Sequence, residues 1–279
     1  MNTLFSSSPY QKPRVQLLLF FGYRGDLFFG LQAQPGRLTV QSALEDRLNV
    51  AFGEVPRALQ FAARTDRGVH AIHNVATCWS RELPDLAKVR QVLSADKNDG
   101  ILYVKCFVVD RKVHARGSAR AKFYRYVIET ECEQVDASEI GAWQIAPWLD
   151  KKALETAGAC LLGEHDFTSF RGGGCSSGTP IKRIERFSIK GPFISSRSRS
   201  KTYYIDIVAN GFLRKMIRNL VGTLVEIGAG LKDPNDMRLI LEAKDRAEAG
   251  LTAPPQGLTL MRVGFLWPTP EKSGLYGAQ

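Results

Sequence analysis

The chain has 279 residues, 44% of them hydrophobic and 24% charged. These are ordinary globular proportions that exclude a disordered or fibrous polymer and leave room for one large domain or two packed subdomains. Thirty-eight Lys and Arg against 28 Asp and Glu give a formal net charge of +10, so a polyanion is a plausible partner. Five cysteines, an odd number with no CxxC pair, fit a reducing compartment; no apolar run approaches the ~18 residues of a membrane span, and a cytoplasmic location is expected.

Residues 1–12 are polar and Ser-rich and read as a flexible arm before the apolar run Val15–Phe21, a buried strand. The spacing of Val40, Ala43, Leu44 and Leu48, with Thr39 as cap, predicts a helix over Thr39–Ala51. Strands are expected at Arg57–Ala63 and Asn74–Trp79, flanking the tight segment RTDRGVHAIH, in which Gly68 permits a positive φ and Asp66 sits on a turn leaving a strand. A helix at Leu83–Leu93 and strands at Ile101–Val109 and Phe123–Ile128 complete a mixed first half, residues 13–130.

The polar stretch Glu129–Ser138 opens a linker taken as 131–149. The second half, 150–267, is expected to hold a helix at Lys151–Leu162, a loop around Gly172–Gly178, and strands at Ile181–Lys190 and Thr202–Val208. A long helix at Phe212–Gly228, a closing strand at Leu258–Phe265 and a tail over 268–279 follow. Both halves mix several strands with one or two helices, so two similar subdomains are possible.

Between Arg111 and Arg125 stand six basic residues, Arg111, Lys112, Arg116, Arg120, Lys122 and Arg125, and no acid, with Tyr124 and Tyr126 interleaved. In a strand Lys122, Tyr124 and Tyr126 share one face, a cationic and aromatic platform suited to phosphates and unpaired bases. A solvated edge strand that blocks sheet-to-sheet pairing would carry the same charges. A second cluster over Arg171–Lys201, eight basic residues against Glu185 alone, favours nucleic acid. On the helix from Phe212, Arg214 and Arg218 lie together at the border of an apolar flank of Leu213, Met216, Ile217, Leu220, Val221 and Leu224. They either snorkel to solvent or reach a buried carboxylate.

Other motifs lead nowhere. Gly173 and Gly178 have phosphate-loop spacing, but Thr179 stands where the lysine is required; His70 and His73 lack further ligands, so no metal is expected; no serine-nucleophile elbow is present.

Three stretches, A-R-T-D-R-G-V-H-A at Ala63–Ala71, K-F-Y-R-Y at Lys122–Tyr126 and N-G-F-L-R-K-M-I-R-N-L-V-G at Asn210–Gly222, resemble the TruA-type tRNA pseudouridine synthases. V-H-A-R at Val113–Arg116, L-L-G-E-H-D-F-T-S-F-R at Leu161–Arg171 and A-P-P-Q-G-L-T-L at Ala253–Leu260 support the likeness, in the family's order, from Phe20 to Phe265. The resemblance implies an α+β fold of two similar subdomains with mainly antiparallel sheets flanked by helices, and a basic RNA-binding cleft between them. It implies isomerisation of uridine to pseudouridine in the tRNA anticodon arm at positions 38 to 40, without cofactor or metal, by a homodimer.

Residue by residue, the resemblance makes Asp66 the catalytic carboxylate, acting as nucleophile or as base, Arg218 its ion-pair partner and Tyr124 the ring that stacks on the flipped uracil. Arg64 would enter the vacated space, and Leu258 and Leu260 would wall the pocket. Lys122, Tyr126, Arg116 and Arg214 are read as substrate-binding. An isolated T-D-R-G would instead be an ordinary turn. The chain departs from the family pattern at Ala63, Arg67 and Leu31, and over Ser94–Gly100, which lacks the usual Asn-x-x-Leu-Pro. That last departure motivates a rival, a catalytically silent RNA-binding protein of the same fold. A synthase acting on other tRNA positions and an N-glycoside hydrolase are the remaining alternatives.

Overall fold

The computed structural model describes residues 15–53, 57–94, 99–109, 113–132, 141–194 and 200–265. The expected arm and tail, residues 133–140 of the linker, 95–98 of the unusual segment, and Arg111, Lys112, Arg197 and Arg199 of the basic clusters lie outside them.

In chain order the elements are β1 (Val15–Tyr23), α1 (Val40–Phe52), β2 (Arg57–Phe61), β3 (His70–Ser80), α2 (Leu86–Ser94), β4 (Ile101–Val109) and β5 (Ala119–Thr130). Then come β6 (Trp143–Gln144), α3 (Lys151–Ala159), β7 (Gly163–Asp166), β8 (Ile181–Ile194), β9 (Lys201–Ala209), α4 (Met216–Gly228), α5 (Asp236–Ala243) and β10 (Leu258–Phe265). The α+β class and the mainly antiparallel pairing are those the sequence implies.

The strands form one sheet in the order β4-β1-β3-β10-β5-β9-β8-β7, with β2 added on β3 and β6 on β5. The closing strand β10 runs between β3 and β5: Thr259 pairs with His70 in parallel, and Leu258 and Leu260 pair with Tyr126 and Tyr124 in antiparallel register. The two halves therefore meet strand against strand. A chain end that supplies a central strand commits both halves to one hydrogen-bonded unit.

The apolar run of β1 is buried on both faces from Gln16 to Leu19, which is why it reads as continuous rather than alternating. Thr39 caps α1 as its sequence suggests, its side chain accepting from Ser42 N–H in a capping box. Helix α4 differs from expectation. It begins at Met216, after Lys215 in a left-handed conformation (φ 58°), and residues 212–215 form an irregular approach instead of a first turn. The Arg214 carbonyl accepts from Gly172 N–H at 2.8 Å, so a loop from elsewhere satisfies backbone that a helix would have used. Arg214 and Arg218 thus do not share a helical face.

Helix α5 and the short strands β6 and β7 are not among the expected elements. β7 is a four-residue edge strand without buried residues, while α5 buries Met237, Ile240 and Leu241 at a spacing that was legible.

The unusual Ser94–Gly100 segment contains an ion pair. Arg47 of α1, 2% exposed, donates to both Asp99 oxygens at 2.6 and 2.5 Å and to Ile101 O at 3.0 Å. Burial, the largest single influence, would raise the Asp99 carboxyl; the Arg47 hydrogen bonds, the Ile101 N–H and the Arg47 charge together outweigh it and hold the group below the usual carboxylate value. Asp99→Ala strands a buried guanidinium, and a loss of ~3 kcal/mol in urea unfolding is expected.

Candidate active site

Asp66 lies in the loop from β2 to β3, and the loop is anchored from beneath. Tyr23 of β1, 1% exposed, places its hydroxyl 2.9 Å from Thr65 Oγ1. Asn74, fully buried in β3, donates to Ala63 O at 3.0 Å and to the Tyr23 hydroxyl at 3.4 Å, while its amide oxygen accepts from Val75 N–H. Burial pushes the Tyr23 phenol up to about 12, so it remains a neutral hydrogen-bonding group. The Asp66 carbonyl accepts from Val69 N–H to close the turn, and Gly68 has φ +82°. A Cβ on Gly68 would stand 2.7 Å from the Pro255 side chain, so backbone strain and crowding both demand glycine there.

Two guanidiniums face the Asp66 carboxylate, which is 29% exposed: Arg218 Nη1 at 3.7 Å and Arg214 Nε at 3.9 Å. At these distances the contacts are charge pairs rather than hydrogen bonds. Arg218 is fixed by a reciprocal pair with Ala253, its Nε donating to Ala253 O at 2.6 Å and its carbonyl accepting from Ala253 N–H at 3.0 Å. Burial pulls the Arg218 guanidinium below the ordinary arginine value, and Asp66 opposes that shift. The approach of the 251–253 segment to α4 depends on Gly222, where a Cβ would fall 1.8 Å from Leu251 O. Arg214 is more exposed and is held by donation from its Nη1 to Gly173 O at 2.8 Å.

Tyr124 of β5, 6% exposed, meets Phe212 edge to face with centroids 5.2 Å apart. Burial, followed by the nearby Tyr23 and Asp66, drives its phenol well above the ordinary tyrosine value. Asp66, Tyr124 and Arg218 all line one cleft of about 920 Å³, together with Arg64, Arg116, Lys122, Arg214 and Leu258. Its lining has eight cationic residues, Arg64, Arg67, Arg116, Lys122, Lys182, Arg214, Lys215 and Arg218, and Asp66 is the one carboxylate among them, so the cavity suits a polyanion. Lys122 shows the cost of this crowding. Its ammonium is held below the usual lysine value by burial, then by Arg116 and Lys182.

Two residues expected at the site, Tyr126 on the platform and Leu260 in the pocket wall, are absent from its lining. Tyr126 is fully buried, its hydroxyl donating to Pro254 O at 2.6 Å, and its ring packs edge-on to Trp143. It shares the Tyr124 face of β5 as alternation predicts, but the 254–257 segment closes over it. Leu260, also fully buried, lies beside Tyr124 in the sheet and packs in the core; Leu258 reaches the cleft.

Sequence reasoning missed Tyr23 and Asn74, which support the loop from neighbouring strands, and Phe212, Lys182 and Cys175, which line the cleft. Phe212 stood inside a quoted motif and Lys182 inside a basic cluster. Cys175 had no signal, because the Gly-rich loop carrying it becomes a wall only by wrapping the approach to α4, where Arg214 N–H donates to its Sγ. Among the described residues no group of three or more His, Cys, Asp or Glu could hold a metal ion.

A family model described as tRNA pseudouridine synthase matches residues 157–265. A protein of Geotalea uraniireducens called tRNA pseudouridine synthase A is 34% identical over 90% of this chain and 99% of its own length. Proteins of the same name from Coxiella burnetii (36% identical, 90% of this chain, 93% of the relative) and Shewanella amazonensis (36%, 94% and 95%) are similar over comparable spans. A solved archaeal box H/ACA sRNP Nop10-Cbf5 complex overlaps 75% of this chain and 49% of that one at 9% identity and a TM-score of 0.30, too slight a likeness to bear on the fold.

Gly222→Ala should cost ~2 kcal/mol by forcing the 251–253 segment off α4. Gly173→Ala, which meets open space, should leave the thermal midpoint in place. A pH effect follows from the motif histidine. His70 Nδ1 accepts from Gly25 N–H at 3.2 Å, so the neutral ring carries its proton on Nε2, which is buried without a partner. Burial lowers His70, and burial followed by Arg262 and Lys105 lowers His73, so the unfolded chain takes up protons first. Stability should therefore fall as pH drops below about 6.5, and urea midpoints between pH 7.5 and 5 check this.

Proposed function

Since the chain belongs to the tRNA pseudouridine synthase A family, we infer that it isomerises uridine to pseudouridine in the anticodon arm of tRNA, at positions 38 to 40, with Asp66 as the reacting carboxylate. The reaction breaks the bond from ribose C1′ to N1, turns the uracil and joins C5 to C1′. The C5 proton is lost and N1 gains one, so no oxidant or reductant takes part.

The observation that carries this reading is the convergence of Asp66, Arg218 and Tyr124, drawn from the β2–β3 loop, α4 and β5, on one cleft lined by cations. Asp66 acts on the sugar, attacking C1′ or removing a ribose proton. Arg218 and Arg214 compensate its charge while the base is detached. Tyr124 offers an aromatic ring to the extruded uracil, and because its phenol stays protonated, stacking and hydrogen-bond donation suit it better than proton removal. Arg64, exposed in the same loop, enters the stack the nucleotide leaves, while Lys122 and Arg116 meet phosphates. Leu258 contributes an apolar wall. The same reading carries a cytoplasmic homodimer whose two protomers contact one tRNA.

The rivals lose their motive. Glycoside hydrolysis ordinarily uses two carboxylates, and the described lining of the cleft has Asp66 alone. The segment that prompted the silent RNA-binding alternative contributes Asp99 to an ion pair with Arg47, and its described residues do not line the cleft.

Unmodified tRNA transcripts carrying tritium at uridine C5 test the proposal. Wild-type enzyme should release tritium and produce pseudouridine in the anticodon arm. Asp66→Asn should reduce release to background with tRNA still bound, and Arg218→Met should slow it by about 10²–10³-fold. Binding without release, or free uracil in the mixture, is the contrary outcome.

A further inference from the structure

Outside the residues assigned above, one arrangement at the rim of the cleft has no structural partner. The Phe29 ring carries two guanidiniums: Arg67 Cζ lies 4.2 Å from its centroid and Arg37 Cζ 4.5 Å. Both arginines are exposed, and among the described residues no carboxylate pairs with either. Cation–π attraction favours each contact singly, but two like charges on one ring repel each other. The free protein thus holds a concentrated positive charge that an anion would relieve.

The surrounding backbone fixes this arrangement. Phe29 N–H donates to Leu38 O at 2.9 Å, Gln34 Nε2 donates to Phe29 O at 2.9 Å, and Arg37 N–H donates to Gln34 O at 3.2 Å, so the 29–38 loop closes on itself. Leu31 N–H donates to Thr65 O, and Val40 and Gln41 at the start of α1 donate to Gly30 and Leu31. The loop is therefore tied to the strand exit that presents Asp66 and to a capped helix. The guanidinium edge, a planar fork of N–H donors, is the part that pairs with two oxygens of a phosphate.

We propose that Phe29, Arg37 and Arg67 form a phosphate clamp that grips the RNA backbone next to the reacting uridine. Arg67 directly follows Asp66 in the chain, so the phosphate it holds belongs to the target nucleotide or an immediate neighbour. The clamp fixes the backbone while the base turns out, a positioning role distinct from the chemistry at Asp66. Phe29 and Arg67 line the cleft, and Arg37 extends the site outward. The inference rests on the tRNA reading of the cleft.

Salt dependence of tRNA binding tests it, because each phosphate contact contributes about 0.7 to 0.9 to the slope of log affinity against log salt. Arg67→Gln should weaken tRNA binding roughly five- to tenfold near physiological salt and flatten the slope by about 0.7 to 0.9, and Arg37→Gln should act in the same sense. The loss should appear in KM more than in the rate at saturating tRNA. Phe29→Leu keeps both charges but removes the ring, so affinity should fall with the slope retained, and Arg67→Lys should restore the slope more fully than the affinity. An unchanged slope in Arg67→Gln, or unchanged affinity in Phe29→Leu, overturns the clamp. If Phe29→Leu does not fold, the two exposed arginine variants decide alone. Wild-type enzyme that binds tRNA without releasing tritium, while the arginine variants still flatten the slope, would count against the isomerase reading and leave the clamp standing.

Discussion

Everything at the candidate site depends on bringing the Arg218 guanidinium, largely withdrawn from water, to a carboxylate carried by a loop on the other half of the chain. A desolvated guanidinium is costly unless its donors and its charge are both met. Ala253 meets the donor at Nε, Asp66 meets the charge, and the missing side chain of Gly222 lets the 251–253 segment come close enough for the first of these. The pairing with Asp66 is looser than a hydrogen bond. In the proposed reaction that leaves the carboxylate free to exchange partners when a ribose arrives, whereas a tight bidentate salt bridge would have to be broken first.

The sheet makes this geometry reproducible. β10 hydrogen-bonds at once to the strand that begins at His70 and to the strand that carries Tyr124, so the loop, the ring and the helix-facing segment are referenced to one strand. A site assembled from two halves joined only by a flexible connection would have to find its geometry at each encounter with RNA. Here the backbone ladder fixes it beforehand, and the polar supports under the loop, Tyr23 and Asn74, are buried where water does not compete.

The charge distribution is unbalanced by design of the cleft lining. Lys122 is held below the usual lysine value by burial and by its basic neighbours, and Arg37 and Arg67 share a single ring. Such crowding destabilises the free protein slightly and is relieved when phosphates enter, so part of the folding free energy is exchanged for affinity toward a polyanion. The Arg47 and Asp99 pair is the opposite case, a buried guanidinium answered within the protein by a residue that does not line the cleft.

Much was legible along the chain. Periodicity marked the main strands and helices, the cap of α1 stood in plain view at Thr39, and about half of the residues that line the cleft fell in the motifs around Asp66, Lys122 and Asn210. Local pattern failed where long-range contacts decide. It extended α4 back through Arg214, because nothing nearby reveals that Gly172 claims the Arg214 carbonyl. It placed Tyr126 at the surface of the site, because alternation assigns a face to a side chain but not what lies over that face, and the family resemblance placed Leu260 in the wall although it packs in the core. By itself the sequence determined residue chemistry, the element types and the family, all carried by neighbouring residues. Only the tertiary structure decided which of those residues meet, because the insertion of β10 and the packing of the 251–253 segment on α4 join parts of the chain that share no local signal.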